Sequence, residues 1–134
     1  MAPPSTLRVG TDLVRVSRIA ASLEKFGEQF LRRSFTEAEI AYASESPAST
    51  AERLAARFAA KEATVKALGL PEQPRDWREI EVCRSSSGAC EIELHGEVLA
   101  AAVRLGAKTF ALSLSHDGDY AIATVITTLP AYAG

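Results

Sequence analysis

The segment Ala51–Gly69, AERLAARFAAKEATVKALG, holds charges where a purely structural helix would not place them. At about 100° per residue with Leu54 as zero, Phe58, Val65 and Leu68 fall within ~40° of Leu54 and form an apolar stripe. Lys61 falls inside that stripe, at about −20°, and Glu62 at its edge, near ~80°. A buried unpaired charge costs roughly several kcal/mol, so each needs a reason. Three ordinary ones stay open: Lys61 snorkels to solvent, Glu62 and Lys66 form an i,i+4 surface pair, or the stripe faces another subunit. A second polar residue in apolar company is Asp12, in Val9-Gly10-Thr11-Asp12-Leu13-Val14. It is either a turn or cap aspartate or a carboxylate aimed at a cation. Asp12 with Glu62 would suffice for Mg²⁺, which takes one or two carboxylates and completes its shell with waters and phosphates. No His or Cys spacing matches a structural zinc site.

Ser113-Leu114-Ser115-His116 places a hydroxyl beside an imidazole. A lone His is ordinarily a surface or satisfied residue. Adjacent strand residues point to opposite faces and no Gly-x-Ser-x-Gly turn occurs, so acyl transfer on a serine of this chain is rejected. Walker-type and Gly-x-Gly-x-x-Gly phosphate loops are also missing from the sequence.

The elements that must position these residues follow from periodicity. Leu7–Val14 is expected to be a strand with Gly10 inside it, where a glycine permits close backbone approach. The apolar spacing of Ile19, Leu23, Phe26 and Phe30 predicts one helix from about Ser17 to Arg33. Thr36-Glu37-Ala38-Glu39 is a capping box that opens a second helix, ended by Ser46-Pro47. A third, capped by Ser49 or Thr50, ends at Gly69 before Pro71. Residues 70–78 form a loop. Glu79–Arg84 and Ala89–Leu94 are strands around a Ser/Gly turn, and Gly96–Leu105 is a helix stopped by Gly106. Thr109–Ser115 and Tyr120–Thr127 are strands joined at Asp117-Gly118. Helices then strands indicate an α+β class: one compact domain, residues 1–134, with N-terminal helices packed on a largely antiparallel sheet and residues 1–6 as a loose tail.

Composition bounds the rest. With 134 residues, 47% hydrophobic and 24% charged, the chain can bury a core without staples. A net charge of −2 gives no basic field for nucleic acid. No apolar run is long enough to span a membrane and no signal peptide opens the sequence, so a cytoplasmic location is expected. Cys83 and Cys90 are expected to be free thiols.

Three motifs together resemble a known family. They are Val9-Gly10-Thr11-Asp12-Leu13-Val14 with Arg18, Arg57-Phe58-Ala59-Ala60-Lys61-Glu62-Ala63-Thr64-Val65-Lys66-Ala67, and Ser113-Leu114-Ser115-His116-Asp117. Over about residues 7–127 the chain resembles the holo-acyl-carrier-protein synthases, the small single-domain class of 4′-phosphopantetheinyl transferases. The resemblance implies that fold and a Mg²⁺-dependent transfer of 4′-phosphopantetheine from coenzyme A to a serine of an acyl carrier protein, releasing adenosine 3′,5′-bisphosphate. It implies a homotrimer with active sites between subunits. By resemblance Asp12 and Glu62 hold Mg²⁺, and Lys66 meets the phosphates. Glu62, directly or through a metal-bound water, is the candidate base. Arg57, Lys61, Ser115 and His116 contact the coenzyme. Arg18 and Arg15 receive the acidic carrier protein, with Arg32 and Arg33 as an extension. Two departures stand out: Gly69-Leu70-Pro71 replaces the family's Gly-Thr-Gly, and Gly88-Ala89-Cys90 replaces Gly-Lys-Pro. The altered loop motivates the rival reading, a non-catalytic coenzyme A or carrier-protein binding module of the same fold.

Overall fold

Gly10 lets the first strand lie flush against the longest helix. A Cβ at this position would sit 2.7 Å from the backbone nitrogen of Ala67, so no larger residue fits. The strand is β1, Ser5–Arg15, and the helix is α4, Thr50–Leu68. The structure, a computed structural model, describes residues 4–130.

Between β1 and α4 run α1 (Val16–Phe26), α2 (Glu28–Ser34), α3 (Glu37–Ser44) and a 3₁₀ turn at Pro47–Ser49. After α4 come a 3₁₀ turn at Trp77–Glu79, β2 (Ile80–Arg84), β3 (Cys90–Leu94), α5 (Gly96–Leu105), β4 (Phe110–Asp117) and β5 (Tyr120–Pro130). One antiparallel sheet has the order β1-β5-β4, and β2 and β3 form a separate hairpin. Helices on antiparallel sheets are the expected α+β architecture.

The core lies between the three-stranded sheet and α4. Ala121, Ala123 and Val125 of β5 meet Ala59, Ala60, Ala63 and Ala67 of α4, all fully buried. Small side chains on both surfaces bring helix and sheet close, which maximises dispersion contacts. Phe35 packs edge-on against Phe30 and Phe58 beside this core. A second cluster joins Leu68, Ile80, Val98, Ala102 and Leu129, tying α5 to the hairpin.

Several expectations change. The single helix over Ser17–Arg33 is two helices broken at Gly27, whose φ of 54° suits glycine. The apolar spacing continues across the break, so the wheel could not show it. The tail is shorter than residues 1–6: Ser5 and Thr6 pair with Pro130 and Leu129, and residues 1–3 lie outside the described residues. The α4 stripe is too narrow, because the helix is buried nearly all round and its alanines form the sheet-facing side. The capping box holds: Thr36 Oγ1 accepts from Glu39 N and Glu39 Oε1 accepts from Thr36 N. Gly69 closes α4 in the left-handed conformation as expected.

Candidate active site

Two periodicities set the first polar centre. Along β1, Gly10, Asp12 and Val14 share the face turned to α4, since strand residues alternate. On α4, Glu62 and Lys66 are one turn apart on the same side. Lys66 Nζ donates to Asp12 Oδ1 at 3.0 Å and to the Thr11 carbonyl at 3.0 Å. The Asp12 side chain is only 12% exposed, whereas Lys66 is 55% exposed. Glu62 is hydrogen-bonded to Asp12. Its pKa is pushed up to about 7 by partial burial first, then by that hydrogen bond and the charge of Asp12, against the pull of Arg18 and Lys66. Two neighbouring carboxylates form a hard oxygen donor set, with the Lys66 ammonium beside them. That donor chemistry fits Mg²⁺.

Arg18 is thus near enough to act on Glu62, and it projects from the start of α1. That start is pinned to the β4–β5 turn: Asp119 accepts from Ser17 N at 2.8 Å and from Ser17 Oγ at 2.6 Å. Arg15, exposed at the end of β1, lies over the Tyr120 ring. A cavity of about 490 Å³ adjoins the acids, lined by Glu62, Val65, Lys66, Gly69, Arg75 and Trp77. The loop 70–78, where Leu70-Pro71 stands in place of the family's glycines, supplies its outer wall.

The second polar centre gathers Arg57, Ser115 and His116 around a cavity of about 330 Å³, with Tyr42, Arg53 and Arg84. The guanidinium carbons of Arg53 and Arg57 each sit 4.3 Å from the Tyr42 ring centroid, and that of Arg84 at 5.0 Å. Arg57 is 5% exposed, and its Nε is buried with no hydrogen-bond partner among the described residues. Its Nη2 lies 3.9 Å from Cys90 Sγ. His116 Nδ1 is 3.4 Å from Glu52 Oε2. Guanidiniums held side by side around one ring suit a multiply charged anion.

Lys61 joins neither centre. It is fully buried, and its ammonium donates to Glu39 Oε1 at 2.8 Å and to the carbonyls of Trp77 and Ile80 at 3.0 and 2.5 Å. Burial pulls its pKa down, opposed by Glu39. The contact with coenzyme phosphates expected for Lys61 is therefore corrected: its three protons are committed inside the protein. Snorkelling and the Glu62–Lys66 pair fail too, since Lys66 turns to Asp12.

The two centres occupy opposite edges of the sheet. Asp12 pairs with Ala123, which pairs with Leu114, so β1 and β4 lie two strand spacings apart, about 10 Å. Sequence reading missed Tyr42, Arg53, Arg84, Arg75, Trp77 and Glu39. Arg53 alone carried a local signal, its i,i+4 spacing from Arg57.

Residues 8–125 match the model of the 4′-phosphopantetheinyl transferase superfamily. A holo-[acyl-carrier-protein] synthase of Gloeobacter violaceus is 47% identical over 118 residues, covering 88% of this chain and 89% of that protein. A Chronobacterium ammoniagenes ACPS–CoA complex superimposes with a TM-score of 0.80 at 35% identity, covering 92% of this chain and 98% of the other. Helicobacter pylori holo-[acyl-carrier-protein] synthase in complex with coenzyme A gives 0.76 at 28% identity, covering 89% and 98%. The three sequence motifs, the antiparallel fold and these likenesses over nearly the whole length agree: the chain belongs to the holo-acyl-carrier-protein synthases of the 4′-phosphopantetheinyl transferase superfamily.

Proposed function

We propose that this chain moves 4′-phosphopantetheine from coenzyme A to a serine hydroxyl of an apo acyl carrier protein, with Mg²⁺, releasing adenosine 3′,5′-bisphosphate. The observation that carries the reading is the Asp12–Glu62 carboxylate pair, braced by Lys66 and opening beside a cavity. Asp12 and Glu62 would hold Mg²⁺, which supplies charge neutralisation on the diphosphate as the phosphorus–oxygen bond breaks. Lys66 binds a phosphate oxygen and offsets charge that grows there. Glu62, directly or through a metal-bound water, would take the serine proton. The basic cavity of Arg57, Ser115 and His116 receives the phosphates of the nucleotide end. Arg18 and Arg15 hold the acidic surface of the carrier beside the acids.

One substrate must touch both centres, yet within one chain they lie on opposite edges of the sheet. A homotrimer resolves this if the acidic edge of each subunit meets the basic edge of its neighbour. The outward face of the sheet supports that assembly. Leu7, Val9 and Leu13 of β1, with Tyr120, Ile122 and Ile126 of β5, leave an apolar surface 37–73% exposed. In register Val9 sits opposite Ile126 and Leu13 opposite Ile122, so the patch is continuous. Among the described residues no helix is long and apolar enough to cross a membrane. Cys83 and Cys90 are free and point to opposite faces of the hairpin, which suits a reducing cytoplasm.

Incubation with coenzyme A, Mg²⁺ and a panel of apo carrier proteins tests the reading by mass spectrometry. The carrier should gain one phosphopantetheine, and chelation should abolish the gain. Coenzyme A binding with no carrier ever modified would favour the non-catalytic module instead.

A further inference from the structure

The outer face of the hairpin carries a donor set that the transfer reaction does not use. Register places Glu81 directly opposite Glu93, and His95 follows two residues later on the same side. The inner face holds Ile80, Val82, Ile92 and Leu94. One donor atom each from Glu81, Glu93 and His95 lies within 4.8 Å of the other two. His95 Nε2 is 3.0 Å from Glu81 Oε1. Thr36 Oγ1 donates to Glu81 Oε2 at 2.7 Å, and the Cys83 thiol lies 3.4 Å from Glu93 Oε2. Like charges directly opposite in an antiparallel pair repel, and among the described residues Glu93 forms no ion pair.

We propose that Glu81, Glu93 and His95 form a site for a zinc-class divalent cation, separate from the Asp12–Glu62 centre. An imidazole nitrogen beside two carboxylates is a borderline donor set, suited to Zn²⁺ and unlike the all-oxygen shell that Mg²⁺ prefers. Zinc ligands sit about 2.0–2.2 Å from the ion, so tetrahedral donors stand about 3.3–3.6 Å apart. Metal binding would draw the three donors, now within 4.8 Å of one another, in to that spacing. Thr36 and Cys83 orient the two carboxylates from outside, as partners of metal ligands commonly do. His95 and Thr36 border a cavity of about 530 Å³ and Glu93 is exposed, so the donors can be reached from solvent.

The proposal does not rest on the transferase reading, and its test does not read activity alone. Full-length protein stripped of metal is titrated with Zn²⁺ under saturating Mg²⁺, by calorimetry and by metal analysis after dialysis. One zinc per chain should remain bound. His95→Gln and Glu93→Gln should each weaken it tenfold or more, with unchanged circular dichroism and unchanged carrier modification. Glu62→Gln should keep it. In the unaltered protein, zinc should also protect His95 from carbethoxylation by diethyl pyrocarbonate. No zinc retained, equal affinity in the His95 and Glu93 variants, or no protection of His95 would each overturn the proposal.

Discussion

At the scale of single residues, Glu62 and Lys61 are chain neighbours with opposite fates. Glu62 sits half-buried at an opening beside Asp12, whereas Lys61 is sealed against Glu39. Glu62→Gln should cut turnover by about 10²–10³-fold while the protein stays folded. The pH dependence has a definite sign. Because the folded-state pKa is raised, the native protein holds the proton more tightly than the unfolded chain. This contribution is therefore present at low pH and is lost as pH rises from the ordinary carboxylate range through about 7. Melting curves without Mg²⁺ should show a steeper fall over that window in the unaltered protein than in Glu62→Gln, and Mg²⁺ should remove the difference. Lys61→Met leaves Glu39 charged and buried without its partner, and denaturation should show a loss of about 3–5 kcal/mol. Cys83 has a thiol pushed up to about 12 by burial, by its hydrogen bond to Glu93 and by the carboxylates around it. It should resist alkylation at neutral pH, followed by mass spectrometry, while denaturant exposes it.

At the scale of elements, the site depends on how closely β1 lies on α4. Gly10→Ala drives a methyl into the backbone of α4 and should cost about 1–3 kcal/mol in urea unfolding, with loss of carrier modification as Asp12 moves from Glu62. The sequence showed much of this level. The capping box at Thr36, the Gly69 stop and the Gly10 approach are local signals with local causes, and they fall where expected. The break at Gly27 was invisible because the apolar face runs straight through it. The sheet-facing side of α4 was missed because alanines carry little weight on a wheel, although they decide how near two backbones can come. Glu39 was legible as a cap but not as the partner of Lys61, which only the packing of α3 on α4 makes. Tyr42 and Arg84 reach the basic cavity from a different helix and a distant hairpin, so spacing along the chain could not reveal them.

At the scale of the whole molecule, the uncovered apolar face of β1 and β5 is the feature that a lone subunit leaves unexplained. Val9→Glu or Ile122→Glu places a charge in its middle without touching the acids or the arginines. Either should shift the protein to a monomer in analytical ultracentrifugation, with carrier modification lost and secondary structure retained. Asp12, Glu62 and Lys66 were legible together in the motifs, and Arg57, Ser115 and His116 likewise. Their division between two edges was not, because register across three strands is a property of the folded sheet.

In the proposed trimer that division would let damaged copies rescue one another. Glu62→Gln spoils only the acidic edge, and Arg57→Ala only the basic one. In a ring of three drawn from both parents, each mixed assembly contains one junction where an unaltered acid edge faces an unaltered arginine edge. Equal random blending of the two inactive preparations, after dissociation and reassembly, should therefore restore about one quarter of normal turnover.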